Sequence, residues 1–138
     1  MSKSILLTAL LALSLMAPVV AHAQEKDQRW VVLVISGSWQ DSKEGFSSEP
    51  MLFPGRSACN GMELSTFVDR AKRGFWKHIE AEYPGNFPYS NIYNNVRALP
   101  LWGTTSRNEI REIQTSWVAE ERNSNRRVTR TSYSLSCD

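Results

Sequence analysis

The first 23 residues of the chain have the three-part pattern of a cleavable bacterial signal peptide, and this pattern decides which part of the sequence is available to fold. A short basic segment is followed by an uncharged, leucine-rich run over residues 5–16. Ala21 and Ala23 are small residues at the two positions that a signal peptidase recognises. We therefore expect residues 1–23 to be removed on export and residues 24–138 to form one small domain.

The apolar run is too short to anchor the chain in a membrane. About 20 apolar residues are needed to span a bilayer, whereas residues 5–16 number twelve and Pro18 interrupts any extension of the run. No cysteine closely follows the run, so the sequence offers no site for a lipid anchor there. We expect the mature chain to be periplasmic or secreted, without a membrane span.

The charge of the mature chain argues against a nucleic-acid partner. Residues 24–138 contain 15 lysines and arginines against 14 acidic residues, because Lys3 is the one charged residue of the signal peptide. A surface that binds nucleic acid needs a surplus of positive charge to neutralise phosphates. We therefore expect the protein to bind no nucleic acid.

The two cysteines, Cys59 and Cys137, both lie in the mature chain. An even number of cysteines in an oxidising compartment indicates a structural disulfide. A bridge between them would close a loop of nearly 80 residues and stabilise the fold by about 4 kcal/mol in the chain-entropy model. The alternative is a reactive thiol, but the sequence has no Cys-x-x-Cys motif to support it.

Two apolar runs near the start of the mature chain predict strands. Residues 30–36 form a β-branched apolar run, which is typical of a central strand buried on both faces. Residues 51–53 form a shorter run that can pair with it. Residues 37–50 between them are rich in glycine and serine and end in proline, so we expect turns there.

An amphipathic helix is predicted over residues 58–83. Ser57 can cap its start, Gly61 weakens its first turns, and Pro84 ends it. Charged residues occupy much of the surface outside an apolar stripe with spacings of three and four. The stripe consists of Leu64, Phe67, Val68, Ala71, Phe75 and Ile79.

Residues 128–137 are rich in valine, threonine, tyrosine and serine, which predicts a last strand. Its alternation places Cys137 on the apolar side, toward the helix that carries Cys59. We therefore expect the α+β class: a small antiparallel sheet packed by one main amphipathic helix, with one disulfide.

Two further segments have a weaker pattern. Residues 84–103 contain three prolines, four asparagines and several aromatic residues, and we expect an irregular loop there. Residues 107–122 fit both helical and strand spacing of their apolar residues. Glu109, three residues after Ser106, resembles a capping box and favours a helix for the first half.

No catalytic constellation is evident. His78 is the single histidine of the mature chain, and it has too few possible co-ligands for a usual metal site. Carboxylates are paired at Glu80 and Glu82 and at Glu120 and Glu121, in charged surroundings typical of a solvated surface. We expect no catalytic residue, no metal and no cofactor. A small secreted hydrolase or toxin that uses carboxylates with His78 remains an alternative.

Four arginines near the end of the chain allow two interpretations. They could bind an acidic protein, an anionic lipid or an anionic polysaccharide. Alternatively, Glu120 and Glu121 offset them on a hairpin whose charged edge opposes aggregation, which is the interpretation that we favour. The four residues are Arg122, Arg126, Arg127 and Arg130.

All five tryptophans belong to the mature chain. Trp30, Trp76 and Trp117 fit core positions, whereas Trp39 and Trp102 lie in predicted loops beside glycine. Aromatic and arginine side chains on loops often supply binding energy at interfaces, although they can also pack beneath the loops. The predicted binding residues are Trp39, Tyr89, Tyr93, Arg97 and Trp102.

These features together predict an exported binding module. Its expected partner is another protein of the cell envelope, and it would act as an inhibitor, as an immunity-type protein or as an accessory subunit of an envelope complex. A domain that binds a sugar or peptidoglycan is the alternative, because exposed tryptophans also stack on sugars.

Overall fold

The computed structural model describes residues 27–37, 43–85 and 95–137. These residues form five strands, two α-helices and a short 3-10 helix, which confirms the α+β class. The signal peptide predicted at residues 1–23 lies outside the described residues. Within the described ranges, neither helix is long and apolar enough to cross a membrane.

Strand β1, Arg29–Ile35, is the centre of the sheet. Strands β2, Glu44–Ser47, and β3, Met51–Phe53, follow one another along one edge of β1, and both are antiparallel to it. Strand β4, Arg97–Thr104, is antiparallel to β1 along its other edge. Strand β5, Arg127–Arg130, lies outside β2 and is parallel to it.

The parallel pairing of β5 differs from the expected antiparallel sheet. Arg127 is the register partner of Glu44, and Arg130 is the partner of Ser47, so both strands run in the same direction. The chain reaches this position because a helix crosses the sheet between β4 and β5. The sheet is therefore mixed, and the arginines of β5 lie on a parallel edge strand rather than on a hairpin.

One helix packs on each face of the sheet. Helix α1, Leu64–Glu82, covers the face to which Val31, Leu33 and Ile35 point. Helix α2, Arg107–Asn123, covers the face to which Val34 points. Because successive side chains of a strand point to opposite faces, β1 is buried on both sides. This confirms the prediction of a central, fully buried strand.

Helix α1 begins six residues later than the sequence predicts, at Leu64 rather than at residue 58. Asn60 and Gly61 both have positive φ angles, 53° and 76°, which a continuous α-helix does not allow. The preceding turn, Ser57–Cys59, is a separate 3-10 helix. Cys59 therefore precedes α1 instead of lying on it.

Residues 107–122, for which two structures were considered, are helical throughout. The Ser106 hydroxyl accepts a hydrogen bond from the backbone N–H of Glu109 at 3.2 Å, as expected of an N-cap. The side chain of Glu109 accepts a hydrogen bond from the Thr104 hydroxyl at 2.6 Å. The carboxylate thus ties the start of α2 to the end of β4.

Cys59 and Cys137 form the predicted disulfide, with their Cα atoms 5.1 Å apart. The chain after β5 approaches this bond along the outer side of the link between β2 and β3. Thr131 donates its backbone N–H to the Ser47 carbonyl, and Tyr133 accepts from the backbone N–H of Glu49. The regular strand nevertheless ends at Arg130, earlier than the predicted residue 137.

Two further predictions need correction. Residues 37–50 were expected to be turns, but residues 44–47 form β2, with Ser47 buried and Ser48 buried just beyond it. Helix α2 contributes hydrogen bonds to both serines, because the Gln114 side-chain amide donates to the Ser47 hydroxyl and to the Ser48 carbonyl. The Ser48 hydroxyl accepts from the Leu33 N–H and donates to the Glu49 carbonyl. Residues 84–103 were expected to be a loop, but their last seven residues belong to β4.

Candidate functional site

Strand β4 is interrupted by a large bulge. Val32 is the register partner of Leu99, and Trp30 is the partner of Thr104. One residue of β1 therefore lies opposite four residues of β4, Pro100 to Gly103, which is an excess of three residues. Such an insertion cannot stay in the plane of the sheet, so the chain bends away from β1 and then returns to it.

The bulge exposes two apolar side chains. Leu101 is 65 % exposed and Trp102 is 69 % exposed, and no other large apolar side chain of the described ranges is exposed. We call Leu101 and Trp102 the apolar tip. An isolated exposed leucine is common in proteins, but an exposed tryptophan next to it in the chain is a feature often found at interaction sites.

Gly103 allows the chain to return to β1 directly after the apolar tip. Its φ angle is +71°, in the region that residues with a side chain rarely adopt. A Cβ atom at this position would lie 2.9 Å from the Arg29 Cβ and 3.2 Å from the Trp30 carbonyl oxygen. The backbone of β1 thus lies directly against Gly103, and the apolar tip projects from a fixed point.

Two of the five predicted binding residues, Arg97 and Trp102, lie within the residues that the structure describes. Trp102 is the exposed end of the apolar tip, on β4 rather than in a loop. Arg97 begins β4, where it is the register partner of Val34. The other three, Trp39, Tyr89 and Tyr93, lie outside the described residues.

A groove of about 530 Å³ runs between β4 and α2, and acidic side chains dominate its lining. Arg97 is the one basic residue among them. Glu109 and Glu121 are already engaged, with Thr104 and with Ser36 respectively. Among the described residues, no group of histidine, cysteine and acidic side chains is arranged to hold a metal ion. The glutamates of this groove are Glu109, Glu112, Glu120 and Glu121.

A second groove, of about 640 Å³, lies along the other side of α2, and we call it the basic groove. Arg107 and Arg111 line it from α2, and Arg130 lines it from the end of β5. The guanidinium carbon of Arg107 lies 5.5 Å from the centre of the Trp30 ring, within the range of a cation–π contact. Glu49 is the one acidic residue of the lining.

The arginines near the end of the chain have different surroundings. Arg126 pairs with the buried Glu121, and Arg127 pairs with Glu44. Arg130 instead faces the basic groove. The favoured interpretation, that Glu120 and Glu121 offset the segment, therefore holds for Arg126 through Glu121 alone. Arg107 and Arg111 were not among the predicted binding residues, and their i, i+4 spacing is the one signal for them in the sequence.

The carboxylate pairs do not converge on His78. Its ring packs against the rings of Tyr83 and Tyr133, with centroids 6.5 and 5.7 Å away. Glu80 and Glu82 are exposed on α1. Nothing in these positions assembles an acid and a base around a substrate site.

Glu121 departs from the surface position expected for it, since it is only 4 % exposed. Its carboxylate accepts hydrogen bonds from the Ser36 hydroxyl, from the Gly37 backbone N–H and from Arg126. Three hydrogen-bond donors satisfy this buried carboxylate, and these contacts hold the end of β1 against α2. The structure therefore indicates a structural role for Glu121.

Comparison with protein-family models, with curated protein sequences and with solved structures finds no match to this chain. The arrangement of its own residues is therefore the basis of any functional assignment.

Proposed function

We propose that the chain is an exported binding module that contacts another protein of the cell envelope through the apolar tip. The exposure of Leu101 and Trp102 is the observation that carries this proposal. Tryptophan is enriched among the residues that contribute most to protein–protein affinity. The bulge and Gly103 hold the tip in place, so little conformational freedom is lost when a partner covers it.

A protein partner explains the apolar tip better than a glycan does. A tryptophan ring can stack on a sugar, but the aliphatic side chain of Leu101 offers a sugar neither a flat face nor a hydrogen bond. Apolar side chains of a protein can cover both Leu101 and Trp102. Periplasmic inhibitors, immunity-type proteins and accessory subunits of envelope complexes are the classes that such a module would join.

Export is part of the proposal and rests on two observations. The first is the signal-peptide pattern of residues 1–23. The second is the disulfide between Cys59 and Cys137, since such bonds persist in oxidising compartments. Mass spectrometry of the protein recovered from cell fractions tests this part. We expect a product that begins at Gln24 in the periplasm or the medium, whereas an uncleaved chain in the cytoplasm would contradict export.

The binding surface can be tested by photo-crosslinking in the native envelope. A photoreactive phenylalanine derivative replaces Trp102 in one variant and Ala119, an exposed residue of α2, in a control variant. We expect a discrete crosslinked protein from position 102 and none of that mass from position 119. Identical products from both positions, or crosslinks to glycan alone, would contradict the proposal.

The captured partner then allows a measurement of affinity. We expect Trp102→Ala to raise Kd by about thirtyfold or more, because truncating an aromatic anchor costs about 2 kcal/mol or more. Ala119→Ser is the matched control and should leave Kd unchanged. The free energy of unfolding of Trp102→Ala should stay within about 0.5 kcal/mol of the parent, since the removed side chain is exposed. An unchanged Kd in Trp102→Ala would mean that the tip is not the interface.

A further inference from the structure

We propose that the basic groove binds acidic side chains of the protein that the apolar tip contacts, so that the partner presents an acidic segment beside an apolar surface. This inference rests on the proposed function and specifies the chemistry of the partner. The evidence for it comes from the pairing of the arginines, the construction of the groove and the position of the groove relative to the tip.

The three arginines of the basic groove differ from four other arginines of the chain, which form ion pairs with carboxylates. Arg56, Arg73, Arg126 and Arg127 each lie within 4 Å of a carboxylate. Within the described residues, Arg107, Arg111 and Arg130 form no such pair, and the single carboxylate of their groove, that of Glu49, pairs with none of them. Three guanidinium groups in one groove are thus available to an external anion.

The construction of the groove suits carboxylates. Arg107 and Arg111 are one helical turn apart on α2, and Arg130 faces them from the end of β5. Guanidinium groups donate two parallel hydrogen bonds to a carboxylate, which favours this ligand over an apolar one. The contact of Arg107 with the Trp30 ring restricts one of the three side chains before any ligand arrives.

Helix α2 separates two grooves of opposite charge. On one side it presents Glu109, Glu112 and Glu120 to the groove along β4. On the other side it presents Arg107 and Arg111 to the basic groove. An acidic ligand is repelled from the first side and attracted to the second, so the charge distribution also fixes the side of α2 on which it binds.

The apolar tip and the basic groove are connected through Trp30 of β1. Gly103, next to the tip, lies against the backbone of Trp30. The side chain of Trp30 lines the basic groove and contacts Arg107. We therefore expect a single partner to cover both. A segment with apolar and acidic side chains supplies the chemistry for each part, whereas an acidic polysaccharide has no aliphatic side chain for Leu101.

The groove can be tested with a fluorescein-labelled peptide of ten glutamates and the mature chain, by fluorescence anisotropy at about 50 mM salt, where screening is moderate. In the groove variant, Arg107, Arg111 and Arg130 are all changed to Gln. In the control variant, Arg70, Lys77 and Arg122, exposed basic residues outside the groove, are changed to Gln. Both variants lose three positive charges, so net charge alone cannot distinguish them.

We expect the groove variant to bind the glutamate peptide about tenfold more weakly than the parent, and the control variant to stay within about twofold. Circular dichroism should show that both variants remain folded. An equal loss of affinity in both variants would overturn the inference, because it would show attraction by overall charge. Tighter binding of an unlabelled polygalacturonate competitor than of a glutamate competitor of equal charge would also overturn it, in favour of a polysaccharide.

The same assay separates this inference from the proposed function. The glutamate peptide has no apolar side chain, so a variant with Leu101→Ser and Trp102→Ser should bind it as the parent does. If that variant binds the partner identified by crosslinking as tightly as the parent does, the proposed role of the tip is wrong, and the inference of a shared partner is overturned as well. If the tip variant loses the partner but the groove variant binds both the partner and the peptide as the parent does, the groove inference alone is overturned.

Discussion

On the face of the sheet that α1 covers, Val31, Leu33 and Ile35 pack in a large apolar cluster with the aromatic side chains of the helix. On the face that α2 covers, Val34 packs with Trp117 and Val118. Val32 of β1 and Ile110 of α2 are also buried. The apolar cluster around Val34 is smaller than the one under α1, and polar contacts lie beside it.

The polar contacts of the second face are specific. Gln114 hydrogen-bonds to Ser47 and Ser48, and Glu121 accepts from Ser36 and pairs with Arg126. These contacts fix the position of α2 without covering its flanks, so a groove remains open on each side of the helix. The α1 face therefore supplies most of the apolar packing, whereas the α2 face supplies the position of the helix and accessible surface beside it.

Removal of the disulfide should have the largest effect on stability, and it tests whether the α1 face carries the fold. In the variant with Cys59→Ala and Cys137→Ala we expect the free energy of unfolding to fall by about 4 kcal/mol, because the open chain regains loop entropy. Urea denaturation measures this change. Adding a reductant should lower the stability of the parent similarly and leave the variant unaffected. A variant as stable as the parent would contradict the prediction.

Two valines of β1 compare the faces directly. Val31 and Val34 are both buried, at 0 % and 1 % exposure, and point to opposite faces. We expect Val31→Ala to cost about 2.5 kcal/mol and Val34→Ala about 1.5 kcal/mol, because a cavity near open grooves relaxes more easily. The two unfolding curves provide the measurement. Equal costs would mean that the apolar packing of the two faces is equivalent, and a larger cost at Val34 would reverse the comparison.

The close approach of α1 to the end of the chain depends on Gly74. A Cβ atom there would lie 2.1 Å from the Tyr133 hydroxyl oxygen. That hydroxyl is buried and has no hydrogen-bond partner in the part of the chain that the structure describes. We expect Gly74→Ala to cost about 2 kcal/mol through overpacking, and Tyr133→Phe to relieve most of this cost in the double variant. A double variant no more stable than Gly74→Ala alone would contradict the contact.

The pH dependence of the free energy of unfolding provides a second test of the burial of the Tyr133 hydroxyl against Gly74. Burial raises the pKa of Tyr133 above its ordinary value of 10.0. The native state therefore keeps its proton at a pH at which the unfolded chain has lost it. The stability that this group contributes is fully present below about pH 10 and declines as the pH rises through the native pKa. Tyr133→Phe should lack this part of the decline.

Glu121 tests the polar face, with an expected effect at the low end of the series. Glu121→Gln keeps the shape of the side chain but removes the charge that Arg126 and the Ser36 hydroxyl meet. We expect a loss of about 1.5 kcal/mol, because a partly buried guanidinium loses its partner. Glu120→Gln, an exposed neighbour, is the matched control and should change stability by less than about 0.5 kcal/mol. Equal losses of stability in Glu121→Gln and Glu120→Gln would contradict a structural role for the buried Glu121 carboxylate.

Local pattern was sufficient to predict the parts of the fold that depend on apolar periodicity. The unbroken β-branched run from residue 31 predicted a strand buried on both faces, and the stripe of α1 predicted the side that meets the sheet. The cysteine count predicted the bond between Cys59 and Cys137. In each case the property that decides the position, apolar character or a thiol that can pair, belongs to the residues themselves and is visible in the sequence.

Other features depend on partners that are remote in sequence. Strand β2 has the composition of a turn, and the hydroxyl of its buried Ser47 accepts a hydrogen bond from Gln114 of α2, which is remote in sequence. The basic groove draws on α2 and on the end of β5, and the parallel placement of β5 has no local signal. Trp102 was predicted as a binding residue from its position beside glycine, but its exposure depends on the register shift between β1 and β4.

The bulge in β4 also has a consequence for how copies of this protein behave at high concentration. In the described part of the chain β4 pairs only with β1, and an uninterrupted outer strand would be a template for the same strand of another copy. The displaced residues from Pro100 to Gly103 divide that template into a short stretch before the bulge and a single residue after it. Neither is long enough for stable strand-to-strand polymerisation. Strand β4 can therefore display a tryptophan without presenting a long continuous edge to another copy.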